Sequence, residues 1–260
     1  MRIYISLAIF ILTGCLFIAC KGGFSGEGTC NQGDCKNGTG TYVYNDGLSA
    51  YKGQFKDGKR SGSGAFSGSC KFLTACLKGE EEIIECAGSW QDNLRHGSMK
   101  CAFKSGDIYE GDFQNDKRNG QGTYKWSGGD SISGQWKDDK IDGKGTMVWN
   151  SGSKYSGDYV AGSIEGTGVY NYPSGAKYEG QFKNGRQNGQ GTKYYPGGRV
   201  EYRGEFMEGR FHGTGTLYDM NGKILFTGKW DKGIQLSSAK KAEGEMSDEE
   251  VEEWNKIFSK

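Results

Sequence analysis

Eight cysteines, two histidines and a recurring set of loop cations are the residues of this 260-residue chain whose types could do chemistry. Six of the cysteines, Cys30, Cys35, Cys70, Cys76, Cys86 and Cys101, follow two near the amino terminus. None shows Cys-x-x-Cys spacing and no His stands near in a ligand pattern, so disulfides are expected and a metal is not. His96 and His212 have no nucleophile motif beside them, which leaves acid/base or covalent catalysis without its partners. Gly-x-Gly recurs throughout, but inside predicted strands and before no helix, which argues against a phosphate-cradling loop. Lys59, Arg60, Arg95, Lys117, Arg118, Lys140, Arg186 and Arg210 recur beside predicted turns. Stacked in a row, such cations would suit an anionic lipid headgroup or another polyanion. Asp57, Asp116, Asp138 and Asp139 adjoin them, however, and charged loops also serve plain solubility. No cofactor is expected. Nor is nucleic acid, since 33 basic residues balance 32 acidic ones.

The elements that carry these residues are read from composition and period. There are 46 Gly, 2 Pro and 13% aromatics, with apolar residues at only 34%. So polar a chain with so little net charge must build its core from Tyr, Phe and Trp laid over glycine. The pattern aromatic-x-Gly-x-aromatic starts at Tyr51, Cys86, Tyr109, Ile132, Tyr155, Tyr178 and Tyr202, a period near 23 residues broken by an insertion before Cys86. A half unit, 38–47, precedes the array and Phe226–Gly233 closes it, for about seven and a half units. Alternation places Tyr109, Gly111 and Phe113 on one strand face, and Gly120, Gly122, Tyr124 and Trp126 on one face of the next. The predicted hairpin sets Phe113 opposite Gly120, Gly111 opposite Gly122 and Tyr109 opposite Tyr124. Cys86 and Cys101 occupy the positions of Tyr109 and Tyr124, so they are expected to face each other and to bond. Cys30 with Cys35, and Cys70 with Cys76, complete the favoured set among the fifteen connectivities that six cysteines allow. The insertion, 67–85, contains the acidic run KGEEEIIE and is an irregular place where specific binding could reside.

The unit YEGDFQNDKRNGQGTYKWSGGDS, from Tyr109 to Ser131, resembles the MORN repeat, and the resemblance covers roughly 36–233. Cys86 and Ile132 depart from it at the first Tyr, Asp116 and Asp139 at a turn Gly, and Met99 at the second Gly of Gly-x-Gly. The implied fold is all-β: an elongated, single-layer, twisted antiparallel sheet of stacked hairpins, a solenoid on the order of 70–80 Å long at about 10 Å per hairpin. The family's association with membrane lipids makes anionic lipid a possible partner. In family members that are enzymes, the repeats accompany a separate catalytic domain.

Both ends of the chain read differently. Arg2 followed by an apolar run to Ala19 resembles an export signal, 1–19. Phe17-Ile18-Ala19-Cys20 and Leu12-Thr13-Gly14-Cys15 both resemble a bacterial lipobox, which implies cleavage before the cysteine and its acylation. Cys20 is favoured because the polar, flexible Lys21-Gly22-Gly23 follows it and because its use leaves six cysteines. Cys15 stays as the alternative, and an uncleaved anchor helix as a second. The tether and first half unit span 20–35, a polar linker 234–246. The last segment, 247–260, reads as a capping helix, with Ser247 as N-cap and Val251, Trp254, Ile257 and Phe258 at helical spacing. The expected function is a non-catalytic, lipid-anchored envelope scaffold that presents its repeats to other envelope proteins, at the outer membrane if the cell has one. The alternatives are anionic phospholipid or glycan binding by the repeats, and an enzyme whose site is unrecognised.

Overall fold

The computed structural model describes residues 28–68 and 83–238. These form eighteen strands: β1 (Gly28–Gly33), β2 (Thr39–Tyr44), β3 (Ala50–Lys56), β4 (Lys59–Ser67), β5 (Ile83–Gln91) and β6 (Leu94–Phe103). They continue as β7 (Ile108–Gln114), β8 (Lys117–Lys125), β9 (Ser131–Lys137), β10 (Lys140–Val148), β11 (Lys154–Val160) and β12 (Ser163–Asn171). The last six are β13 (Lys177–Lys183), β14 (Arg186–Tyr194), β15 (Val200–Met207), β16 (Arg210–Tyr218), β17 (Ile224–Asp231) and β18 (Ile234–Ser238). Every strand pairs antiparallel with the next in chain order, and each contact is therefore local. No helix among the described residues is long and apolar enough to cross a membrane.

Two-residue turns close the hairpins, with both central residues at positive φ, as in Asn115 (51°) and Asp116 (69°) or Glu208 (52°) and Gly209 (84°). That geometry matches the right-handed twist of the strands it joins. The expected pairing of Gly111 with Gly122 and of Tyr109 with Tyr124 is present. Phe113 departs from expectation: it faces Arg118, not Gly120, and Gly120 pairs instead with Trp136 of the next hairpin. The cause is a bulge. Asp112 opposes more than one residue of β8, and its carboxylate accepts a bond from the Gln121 amide at 3.1 Å. The side-chain oxygens of Gln54, Asp158, Gln181 and Glu205 accept the equivalent backbone amide in their own hairpins. Two extra residues with a polar side chain folded over them are what strict alternation cannot anticipate.

The core is a ladder of rings. Tyr51, Tyr109, Tyr155, Tyr178 and Tyr202 are fully buried although the sheet has one layer. Each tyrosine meets the second aromatic of its own strand edge-on, and an aromatic of the next hairpin edge-on from the other side, as Tyr109 meets Phe113 and Trp136. Glycine backbone forms the floor. A Cβ at Gly122 would overlap the Tyr109 phenol, and one at Gly191 the Tyr178 phenol. Each hydroxyl turns back to a carbonyl three residues on, such as Tyr109 to Asp112 at 3.2 Å and Tyr178 to Gln181 at 3.0 Å. Burying a ring of this size contributes about 1.5–3 kcal/mol, with roughly 1 kcal/mol more from each edge-on pair.

Two segments differ in extent from the sequence reading. Ser67 pairs with Glu85 and Ile83 with Phe103, so the sheet continues into both ends of the expected insertion. The expected linker begins as β18, paired with β17. The lipidation candidates Cys20 and Cys15, the pair Cys70 and Cys76, and the helix 247–260 lie outside the described residues.

Candidate functional site

The loop cations divide into two sets that the sequence does not distinguish. The second residue after each hairpin turn points to the ring side of the sheet, and in three successive hairpins it is Arg60, Arg95 or Arg118. Arg60 and Arg95 are buried. Their guanidinium groups lie 4.5 Å from the Trp90 and Phe113 ring centres, and that of Arg118 lies 4.8 Å from Trp136. Each arginine also grips the turn of the following hairpin. Arg95 donates from its amide and Nε to the Asp116 carboxylate, at 2.8 and 3.1 Å, and from its terminal nitrogen to the Asp116 carbonyl at 2.6 Å. Arg118 repeats this on Asp139, and Arg60 bonds Asn93 through its amide and its terminal nitrogen. These three arginines are therefore inter-hairpin clamps and leave the expected anionic-ligand row. The reason is that the arginine stem reaches over a ring while its planar fork finds a turn carbonyl and a carboxylate together.

The first residue after each turn points the other way. Lys59 and Lys117 make exposed ion pairs with Asp92 and Asp138 of the next turn, at 3.2 and 2.9 Å. Lys140, Arg186 and Arg210 are exposed and carry no ion pair among the described residues. What remains of the row is these three cations and two neutralised lysines. Asp116 and Asp139, read as departures from a turn glycine, stand where the arginine of the preceding hairpin needs an acceptor. Their spacing, 21 residues after Arg95 and Arg118, was the signal available in the sequence.

Cys86 and Cys101 are bonded across β5 and β6 with Cα atoms 4.1 Å apart, and Cys30 is bonded to Cys35. Both expected pairings that fall on described residues are present. Met99 fills the site of the missing glycine and is buried. His212 Nδ1 lies 3.4 Å from Asp231. Among the described residues no group of three or more His, Cys, Asp or Glu could hold a metal. Burial pushes the ring-ladder phenols up, Tyr51 and Tyr155 to about 12, so they stay protonated and serve as donors, not as bases.

Among the described residues, two open concavities stand out. One, of about 900 Å³, runs across strands β7 to β13 and is walled by Thr123, Ser133, Thr146, Ser156, Thr167 and glycine backbone. The other, of about 420 Å³, is apolar and lined by Trp126, Ile132, Met147, Trp149, Tyr159 and Ile164, with the turns at Gly162 and Gly185 at its rim. Sequence reasoning did not single it out, because its walls come from β9 to β12 and the connections beside them. Among the described residues the geometry offers recognition surfaces, hydroxylic on one and aromatic on the other.

No curated protein matches the chain. Among solved structures, the TCP domain of Drosophila melanogaster SAS-4 (dCPAP), in complex with a proline-rich motif of Ana2, is 14% identical, covering 77% of this chain and 96% of that one, with a TM-score of 0.37. The CPAP G-box domain is 13% identical over 79% and 100%, at 0.41, and a mutant TCP10 domain of Danio rerio CPAP 15% identical over 74% and 95%, at 0.32. At these scores none of them carries an argument about this chain. The MORN repeat model matches eight times, at 36–49, 51–69, 86–108, 109–131, 133–154, 155–177, 178–198 and 202–224. These units make up well over half of the residues and coincide with the hairpins described above, and the chain belongs to the MORN repeat family.

Proposed function

We propose that this protein is a non-catalytic scaffold, held to the cell envelope by acyl chains on Cys20, whose repeat sheet binds other envelope proteins. The observation that carries the reading is the run of eight MORN units folded into one sheet, since repeats of this kind serve binding. A rigid sheet whose pairings are all sequence-local presents the same backbone geometry every hairpin, which suits a repetitive binding surface. Two or three acyl chains give stable attachment where one does not. Anchoring supplies location and the sheet supplies recognition.

Photo-crosslinking from intact cells tests the scaffold, with the full-length protein as bait. Specific partners should be captured by wild type and lost when the sheet is disrupted by Gly122→Val. Capture of none, or equal capture by both, overturns the reading. Metabolic labelling with an alkyne fatty acid tests the anchor: Cys20→Ser should lose label and Cys15→Ser should keep it. The reverse result moves the anchor to Cys15. The lipid reading retains only Lys140, Arg186 and Arg210 as free cations among the described residues of its row. A salt-sensitive preference of the full-length protein for anionic over neutral vesicles in flotation, lost when these three become Gln, would replace the scaffold reading with it.

A further inference from the structure

We propose that the apolar concavity at Trp126, Trp149 and Tyr159 is a docking groove for a proline-rich segment of a partner in the polyproline II conformation. The proposal rests on the protein-binding reading above and names the chemistry of what is bound.

Three observations carry it. First, the hydrogen-bonding state of the tryptophans differs by location. Trp90, Trp136 and Trp230 donate their indole N–H to glycine carbonyls of the sheet, at 3.1, 3.0 and 3.2 Å. Trp126 and Trp149 line the concavity, and no described residue accepts a bond from either indole. Trp126 is 37% exposed, a large ring facing solvent beside the pocket. Second, Tyr159 lines the same pocket with 4% exposure, and its buried hydroxyl has no hydrogen-bond partner. An orphaned buried polar group is costly, by about 1–3 kcal/mol, unless something supplies its partner. No charged residue lines the pocket. The walls thus present apolar area and two donor-only indoles, with a phenol that can also donate. The complementary ligand is apolar, uncharged and rich in acceptors. A proline segment is all three, because its residues have lost their N–H while keeping their carbonyls.

Third, the repeat supplies a pitch. The residue that opens each inter-hairpin turn is Trp126, then Trp149, Tyr172 and Tyr195, each donating its backbone N–H to a carbonyl four residues on. Successive rungs are two strands apart, about 9.6 Å. A polyproline II helix turns once in three residues and rises about 9.3 Å in doing so. A segment with proline at every third position therefore meets Trp126 and Trp149, the two rungs that line the concavity, on successive turns, and its preformed helix loses little entropy on docking. The ladder ends at Asp219, where the corresponding position is acidic.

The experiment is fluorescence anisotropy of a labelled twelve-residue polyproline against the full-length protein in detergent micelles. A Gly-Ser peptide of equal length and chitohexaose serve as competitors. Saturable binding that neither competitor displaces is expected. Trp126→Ala and Trp149→Ala should each weaken it about tenfold, as for an aromatic anchor. Tyr159→Phe keeps the ring, and so the core, and should weaken it about fivefold, the loss of one hydrogen bond. Displacement by chitohexaose, equal binding of Gly-Ser peptide, or unchanged affinity in Tyr159→Phe overturns the proposal. Failure here is distinct from failure of the scaffold. Partners crosslinked equally by wild type and Trp126→Ala leave the scaffold standing without this groove. Polyproline binding with no crosslinked partner does the opposite.

Discussion

From β3 to β10 successive hairpins are clamped by arginine side chains, whereas in the later hairpins the clamp position holds Ile141, Ile164, Gln187 or Phe211 and the link is made by backbone bonds and by the Asp142 and Glu165 carboxylates. The backbone bond between neighbours is shared: the second turn residue donates to the carbonyl two residues past the preceding turn, Asp116 to Arg95 at 3.0 Å and Gly209 to Gln187 at 2.9 Å. Where that carbonyl belongs to Arg60, Arg95 or Arg118, the turn residue is Asn93, Asp116 or Asp139. Where it belongs to Ile141, Ile164, Gln187 or Phe211, the turn residue is glycine. Positive φ favours glycine, but Asn and Asp tolerate it, and a clamp from the previous hairpin compensates the strain. In this second half the third residue past the turn takes over part of the linking, as Asp142 accepts from the Ala161 amide and Glu165 from that of Asn184. One fold thus admits two couplings, provided both members of a pair change together.

The sharpest way to break this comparison is to remove one member. Asp116→Ala leaves a buried guanidinium without its carboxylate and should destabilise the β5–β8 region by about 3–5 kcal/mol, read by amide hydrogen exchange. Arg95→Ile combined with Asp116→Gly installs the coupling of the later repeats and should lie within about 1 kcal/mol of wild type. A double variant as weak as the single one would show that the two couplings are not interchangeable. The disulfide is the next largest difference between the halves. Cys86→Ala with Cys101→Ala should cost about 3 kcal/mol for a loop of this length, with protection lost in β5 and β6 and kept in β13 to β16. What the halves share should respond alike: Gly122→Ala and Gly191→Ala should each cost about 1–3 kcal/mol through the same overlap with a phenol.

Alkaline titration tests that shared ladder in another way. Tyr51 and Tyr155, one in each half, are raised from 10.0 to about 12 by burial. A raised folded pKa means the phenols stabilise the fold fully below pH 10 and lose that contribution as pH climbs through 12. Both halves should therefore unfold together in that window, by circular dichroism and by exchange. Separate alkaline midpoints would mean the ladder is not continuous. The smallest effect belongs to the outer row. Lys117→Ala breaks an exposed pair with Asp138 and should leave the thermal midpoint unchanged within error.

Much of this was legible before any coordinates. Strict spacing of Tyr, Gly and aromatic residues determined the strands, the faces and the ring seats, because each ring covers glycines of its own hairpin, as Tyr109 covers Gly111 and Gly122. Cys86 and Cys101 were readable for the same reason, since they replace a tyrosine pair at known positions. The bulge was not, because the side chain of Asp112 decides it by folding onto a backbone amide that alternation assigns elsewhere. The clamps were hidden too. Arg118 and Lys117 are neighbours of the same charge just after a turn, and only strand geometry sends one over Trp136 and the other to solvent. The aromatic concavity escaped for a related cause, as its walls converge from two hairpins and the turns between them.

The amino-acid sequence alone determined that this chain stacks hairpins every 23 residues, because a local period needs only local contacts to be satisfied. Tertiary structure alone decided which cations are sealed inside, which indoles keep an unused donor and where an apolar hollow opens. Those outcomes depend on the relative placement of separate hairpins, a quantity that no single repeat contains.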